Sequence, residues 1–175
     1  LKRNDPSAVA KQVSLTELGS IKINKEERSK MLKAIPRNSV IGFLIGVLPG
    51  AGATIASFLA YGMERNFVSD EEKEKFGKGS VHGLTAPETA NNAACSGAFV
   101  PLLTLGIPGS GTTAVMLGAL LGFGIQPGPR LYITNPEIFW SVIMSMYIGM
   151  VVLLILNLPL IPYIARILAV PKNYL

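Results

Sequence analysis

Residues 38–63 read NSVIGFLIGVLPGAGATIASFLAYGM. No charge falls between Arg37 and Glu64, and the run is at least as long as the roughly 20 apolar residues that span a bilayer. Its centre, Leu48-Pro49-Gly50-Ala51-Gly52-Ala53-Thr54, is a poor helix former. Proline removes a backbone donor, and paired glycines cost helix propensity. The segment therefore reads as two half-helices around an unwound centre. Two more uncharged stretches follow, from Glu88 to Arg130 and from Glu137 to Arg166. A soluble helical core can hold one such stretch, whereas three in succession argue for lipid as the solvent. Composition agrees: charged residues make up 15% of the 175, against about 25% in soluble domains, and the mean hydropathy is +0.42. The expected fold is all-α, a polytopic integral membrane protein fragment with broken helices, discontinuous or re-entrant.

The charge distribution orders the rest of the chain. Of the 16 Lys and Arg residues, nine lie between Lys2 and Arg37. Residues 1–37 thus read as a polar basic cytoplasmic segment, where Lys and Arg accumulate. Within it, residues 25–35 suit a surface helix stopping before Pro36. The formal charge of +5 does not point to nucleic acid, because no aromatic residues interleave with the cations to stack on bases. Residues 38–175 read as the transmembrane region: a broken segment 38–63, a connector helix 64–84, a second broken segment 85–129 and a spanning helix 137–158. Ser69 with Glu72 reads as a capping box, Gly77 as a helix stop, and Thr85-Ala86-Pro87-Glu88 as a second capping box opening a helix to about Ile107. Pro159 and Pro162 then interrupt, and Arg166 and Lys172 return to water. Both ends read as interior to a longer chain, since no signal-peptide pattern opens it. Two topologies fit residues 38–63. A single helix can span with an unwound centre, or two arms of roughly 15–16 Å can enter and leave on the same side. Positive residues on both flanks favour the hairpin.

The two breaks share a pattern. Residues 49–54 are P-G-A-G-A-T and residues 108–113 are P-G-S-G-T-T. A repeated broken helix points to a transporter binding site, because irregular backbone survives in hydrocarbon only where it lines a cavity or meets a ligand. Each following half-helix offers free N–H groups and a positive dipole end, which suit a carboxylate. The candidate substrate-binding residues are Gly50, Gly52, Thr54, Gly109, Ser110, Gly111, Thr112 and Thr113. Glycine would let the ligand approach the backbone, and the hydroxyls would donate to it. Close helix packing is the plainer reading of the glycines. Neither break has the Lys-Ser/Thr of a Walker A loop or the third glycine of a dinucleotide fingerprint.

A polar stripe, Glu88, Asn91, Asn92 and Ser96, runs toward Thr104 at helical spacing. Glu88, Asn91 and Asn92 are the ion-coupling candidates, through oxygens for Na+ or through a proton on Glu88. The competing readings are a capping role for Glu88 and interhelical hydrogen bonds for the asparagines. Cys95 is the one cysteine and His82 the one histidine, so no intrachain disulfide, metal site or cofactor is expected beyond a coupling ion. His82 reads as a plain loop histidine. With Glu88 and Cys95 it forms no spaced catalytic set, which argues against an enzyme.

At these residues the chain resembles a known family. GFLIGVLPGAGATIASFLAYGMER (42–65) and FGKGSVHGLTAPETANNAACSGAFVPLLTLGIPGSGTTAVMLGALLGFGIQPGP (76–129) are similar to the large membrane subunit of the tripartite tricarboxylate transporters, in part of its C-terminal half. The resemblance implies a multi-pass protein of the bacterial inner membrane. It implies a small membrane subunit and a periplasmic solute-binding protein as partners, and citrate or another small carboxylate as substrate. It also implies uptake driven by an ion gradient as symport. The alternatives are a structural or assembly subunit without its own substrate site, and a membrane-embedded enzyme.

Overall fold

The computed structural model describes residues 23–167. The basic run over residues 1–22 and the return to water at Lys172 lie outside the described residues. Two compact units divide the chain at Ser141 and Val142. The described secondary structure is all helical: α1 Lys25–Val47, α2 Gly52–Phe67, α3 Asp70–Lys73, α4 Val81–Gly97, α5 Phe99–Leu105, α6 Gly111–Gly122, α7 Leu131–Thr134 and α8 Pro136–Ile167.

Helix α1 opens on a capping box. Asn24 Oδ1 accepts from the Glu27 N–H at 2.7 Å, and Glu27 Oε2 accepts from the Asn24 N–H at 2.9 Å. The helix does not stop before Pro36, as the sequence predicts, but runs through it to Val47. One proline removes a single hydrogen bond, and packing along the whole length of α1 outweighs that loss. The helix ends at Leu48, where Pro49 and Gly50 follow, the latter at φ +84°. Helix α2 then folds back along α1, so that Arg37 and Glu64, on opposite flanks of the break, touch at 2.6 Å. The two arms form a helical hairpin with residues 48–51 at its tip.

Every fourth residue of three helices faces the centre. On α1 these are Ala34, Asn38, Gly42 and Gly46; on α2, Ala56, Ala60 and Glu64; on α4, His82, Ala86, Ala90 and Ala94. Four-residue spacing keeps them on one face, and their small size lets the backbones meet. A Cβ at Gly42 would strike the Ala90 backbone, one at Gly46 the Ala94 backbone, and one at Gly97 the Phe43 carbonyl. Little side-chain area is buried here, so dispersion between close-packed backbones holds the helices together. The side chains α1 and α2 turn outward are large and apolar: Val40, Phe43, Leu44, Ile55, Phe58 and Leu59 are all exposed.

The connector is tied to α1 by charge. Lys30 Nζ lies 3.0 Å from Glu72 Oε1, and Lys75 Nζ lies 2.8 Å from the same oxygen. These bonds, from Lys75 first and then Lys30, hold the Glu72 carboxyl below its usual range, while Glu26 and Glu72 together push Lys30 up to about 12. Ser69 stands before α3 but makes no side-chain cap; its carbonyl takes the Lys73 N–H at 3.0 Å instead. Gly77 follows α3 at φ +76°.

The second capping box is also displaced. Helix α4 starts at Val81, with Ser80 Oγ accepting from the Gly83 N–H at 3.0 Å. Thr85 and Glu88 therefore sit inside the helix and do not cap it. Nor does the helix run unbroken to Ile107, because it stops at Gly97 and resumes as α5. Pro101 has no N–H to give the Gly97 carbonyl. Gly106 ends α5 in the left-handed region at φ 70°, where a Cβ would also press on the Pro127 carbonyl. After α6 the chain turns back, and the Gly128 N–H reaches the Leu103 carbonyl at 3.2 Å.

Helix α8 is longer than the sequence predicts. Neither Pro159 nor Pro162 ends it, and it continues to Ile167. Its stretch Pro136–Ile161, 26 residues, is long and apolar enough to cross a membrane, and none of its most apolar window is buried. Phe139 and Trp140 at its start stack edge to face at 5.4 Å.

The close α1–α4 approach has a direct test. Gly46→Ala adds one methyl against backbone that cannot yield and is expected to destabilise the fold by about 1–3 kcal/mol. Gly118→Ala, on open α6 surface, is expected to be neutral or to stabilise by about 0.5–1 kcal/mol. Denaturant titration in detergent reads both; equal responses would show that the contact does not matter.

Candidate anion-binding site

The hairpin tip and the second break meet. The Gly50 N–H donates to the Gly109 carbonyl at 3.3 Å. Together the two P-G-x-G-x-T loops line a cavity of about 680 Å³, within the range of small-molecule pockets. Gly50, Gly52, Ala53 and Thr54 form one wall, and Pro108 to Ala114 the other. Cys95 and Phe99 close the space between them. All eight residues read from the sequence as substrate-binding are in this lining.

Their roles are not equal. Gly50 and Gly52 hold φ of +84° and +68°, a region costly for any side chain. Gly109 is buried with ordinary φ; a Cβ there would meet Ala98 at 3.3 Å and the Gly46 carbonyl at 3.6 Å. It is the contact through which the second loop sits on α1. Gly111 has open space around it.

The hydroxyls also divide. Ser110 and Thr113 form a capping box on α6. The Ser110 N–H donates to Thr113 Oγ1 at 2.8 Å, and Ser110 Oγ accepts from the Thr113 N–H at 3.3 Å. Thr113 is nearly fully buried, so its hydroxyl serves the fold. Thr54 and Thr112 are exposed at the cavity. At the other wall, α2 begins at Gly52 with no side-chain cap. Its first-turn N–H groups point out of the helix without intrahelical partners. The cavity thus combines two helix N-termini, two exposed hydroxyls and no charged side chain in its lining. Such a wall attracts negative charge by dipole and hydrogen bonding, with about 0.3–2 kcal/mol from each helix end.

The polar stripe on α4 is split. Asn91 faces α2, its Nδ2 donating to Ser57 Oγ at 3.1 Å, and Ser57 Oγ in turn reaches the Pro87 carbonyl at 3.2 Å. Glu88 and Asn92 are exposed, with Asn92 Nδ2 donating to the Glu88 carbonyl at 2.9 Å. Among the described residues no group of three His, Cys, Asp or Glu side chains is placed to hold a metal ion.

A second polar cluster escaped the sequence reading. His82 is not a loop histidine. It lies buried in the first turn of α4, with Nδ1 2.7 Å from Glu64 Oε1. Glu64 is fully buried and also takes two bonds from Arg37, at 2.6 and 3.1 Å, and one from Asn38 Nδ2 at 2.8 Å. The sequence signal was present: Asn38 and Glu64 sit on the small-residue stripes, where a polar side chain must find a partner.

The sequence pattern of the tripartite tricarboxylate transporter TctA family matches residues 2–175, and the chain belongs to that family. Two relatives come from Agrobacterium vitis. An uncharacterized 52.8 kDa protein in the TAR-I ttuC' 3' region is 39% identical over 173 residues, which cover 99% of this chain and 34% of the relative. An uncharacterized protein in the TAR-II ttuC' 3' region is 46% identical over 134 residues, covering 77% of this chain and 54% of the relative. The chain thus spans between about a third and about half of the length of these relatives. No solved structure gives a significant match.

The two loops should respond differently to the same substitution. Gly52→Ala places a side chain at positive φ and is expected to cost about 1–2 kcal/mol of stability. Gly111→Ala is expected to leave stability within about 0.5 kcal/mol, since its backbone is ordinary and its surroundings open. Thermal unfolding of the purified protein separates them, and an equal loss at both would contradict the left-handed assignment at Gly52.

Proposed function

We propose that this chain is part of the membrane subunit of a secondary transporter, and that its two loops form one wall of a site for tricarboxylates or related small carboxylates. The observation that carries this is the pairing of two P-G-x-G-x-T loops, each at a helix N-terminus, across one cavity. Paired half-helix ends are how transporters hold anionic groups near the membrane midplane. The wall has no lysine or arginine, so it seats one carboxylate of the substrate; the others need counter-charge from elsewhere in the full-length subunit. A purely structural or assembly subunit would need neither loop.

Family membership supports the remaining parts. The substrate arrives from a periplasmic solute-binding protein, a small membrane subunit completes the assembly, and an ion gradient drives symport. The protein is multi-pass in the bacterial inner membrane. Helix α8 has the length and composition of a span, and the apolar outer faces of α1 and α2 suit lipid or neighbouring helices. The α1–α2 hairpin enters and leaves on the same, cytoplasmic side, with its tip near the midplane. Glu88, Asn91 and Asn92 contribute to ion coupling. The amide nitrogens of both asparagines are engaged in hydrogen bonds, which leaves their oxygens, the ends a cation takes, outside those bonds.

Uptake of labelled citrate by the full-length subunit with its partners tests the site. Thr54→Val and Thr112→Val each remove a hydroxyl facing a charged ligand, a loss of about 1.5–3 kcal/mol, or roughly tenfold or more in affinity. Citrate is expected to slow maleimide labelling of Cys95 by the same site. Unchanged uptake in both variants, with labelling indifferent to citrate, would sink the shared site. In the same assay, Glu88→Gln is expected to alter the dependence on sodium or pH; no alteration removes Glu88 from coupling.

The hairpin topology has its own readout. Single cysteines at Lys33 and Lys78, in a Cys95→Ser background, are expected to react with an impermeant reagent from the same side of the membrane. Labelling from opposite sides would rule out the re-entrant arrangement.

A further inference from the structure

The Arg37–Asn38–Glu64–His82 cluster belongs neither to the cavity nor to the polar stripe. It sits where three helices meet, with Arg37 and Asn38 from α1, Glu64 from α2 and His82 from α4. These are the charged and titratable groups that face His82 from the helices packed against it. The Arg37 guanidinium holds both Glu64 oxygens and lies over the Phe67 ring at 4.4 Å. Arginine and glutamate therefore cancel, and His82 donates its Nδ1–H to a carboxylate that is already neutralised.

We propose that this junction is a proton-binding site, with His82 taking up and releasing the proton. The Glu64 side chain is 0% exposed, while that of His82 is 10% exposed. A proton from water therefore reaches the cluster through the imidazole. It binds the Nε2 lone pair and gives an imidazolium that keeps its Nδ1–H on Glu64. The junction then changes from neutral to a net positive charge in buried surroundings, where an unbalanced charge is costly. Asn38 is fully buried, and its Nδ2 serves both Glu64 and the Ala34 carbonyl, which ties the carboxylate to α1 beside Arg37.

Helices α2 and α4 reach the cavity described above and α1 leads to its loop, so this inference rests on that cavity being the transport site. Helix α2 runs from Glu64 to Gly52, about 18 Å at 1.5 Å per residue. Helix α4 runs from His82 to Cys95, about 20 Å by the same rise. Helix α1 leads from Asn38 to the loop holding Gly50. A shift among the helices at the proton site is carried along rigid rods to the cavity walls. By linkage, substrate in the cavity must in turn shift the protonation of His82.

The test uses the full-length protein with its partner subunits. Deuterium exchange at the imidazole C2 carbon, read by mass spectrometry, follows the ionisation of His82 without any substitution. Saturating citrate is expected to move the midpoint of that exchange profile. In uptake assays, His82→Gln keeps a donor for Glu64 but cannot titrate. It is expected to flatten one limb of the pH profile while the protein stays in the membrane at wild-type amount. A His82 titration that citrate does not move overturns the proposal, as does a His82→Gln profile identical to the wild type. Wild-type protein that takes up no citrate at any pH fails the transport reading itself, and the proton link falls with it.

Discussion

The backbone of α1 lies directly on the backbone of α4, because Gly42, Gly46 and Gly97 place no carbon between them. Much of the Asn24–Ser141 unit follows from that approach. With α1 and α4 in contact, α2 has one groove to fill, and its Ala56 and Ala60 face complete the centre. The hairpin arms are then fixed in angle and register. Their tip falls beside Ala98 and Gly109, where the second loop leaves α5. Without the glycines the helices would separate by at least a methyl group, and the Gly50–Gly109 hydrogen bond could not form.

The same packing separates two kinds of polar chemistry. Along the small-residue stripes nothing polar is buried between Asn38 and the breaks on α1, or between Glu64 and the breaks on α2. The buried polar side chains collect toward the ends of the rods, with the half-buried Asn91–Ser57 pair between them. At one end charge is buried and neutralised by a bidentate arginine, the geometry that best offsets the cost of removing a carboxylate from water. At the other end the walls carry no charged side chain and are built of helix ends and hydroxyls.

The helix ends show where local rules gave way. Pro36, Pro87, Pro159 and Pro162 all lie inside helices, although each is a breaker by propensity. Real breaks occur where proline coincides with glycines, at 48–51 and 106–110, or where Pro101 follows Gly97. One lost hydrogen bond is offset by packing along the rest of the helix; a lost bond beside residues free to leave the helical region is not. The capping sequences at Ser69 and Thr85 were overridden in the same way, by a backbone bond in one case and by a stronger cap five residues earlier, at Ser80, in the other.

The sequence by itself determined the helical class of the described residues, the family, and the repeated P-G-x-G-x-T pattern, because these depend on composition and on short spacings. It also carried, unread, the four-residue stripe of Ala34, Asn38, Gly42 and Gly46. Only the tertiary structure decided that the two loops share one cavity, since residues 50 and 109 are brought together by helices whose packing no local pattern encodes. It likewise turned Ser110 and Thr113 inward as a cap, left Thr54 and Thr112 facing the cavity, and separated Asn91 from Glu88 and Asn92. His82 is the clearest case: alone in the sequence it has no partner, and Glu64, eighteen residues earlier, becomes one only when α2 folds back along α1 and α4 closes over both. A buried charge must find its counterpart somewhere, but which counterpart is a property of the packed helices and not of the chain.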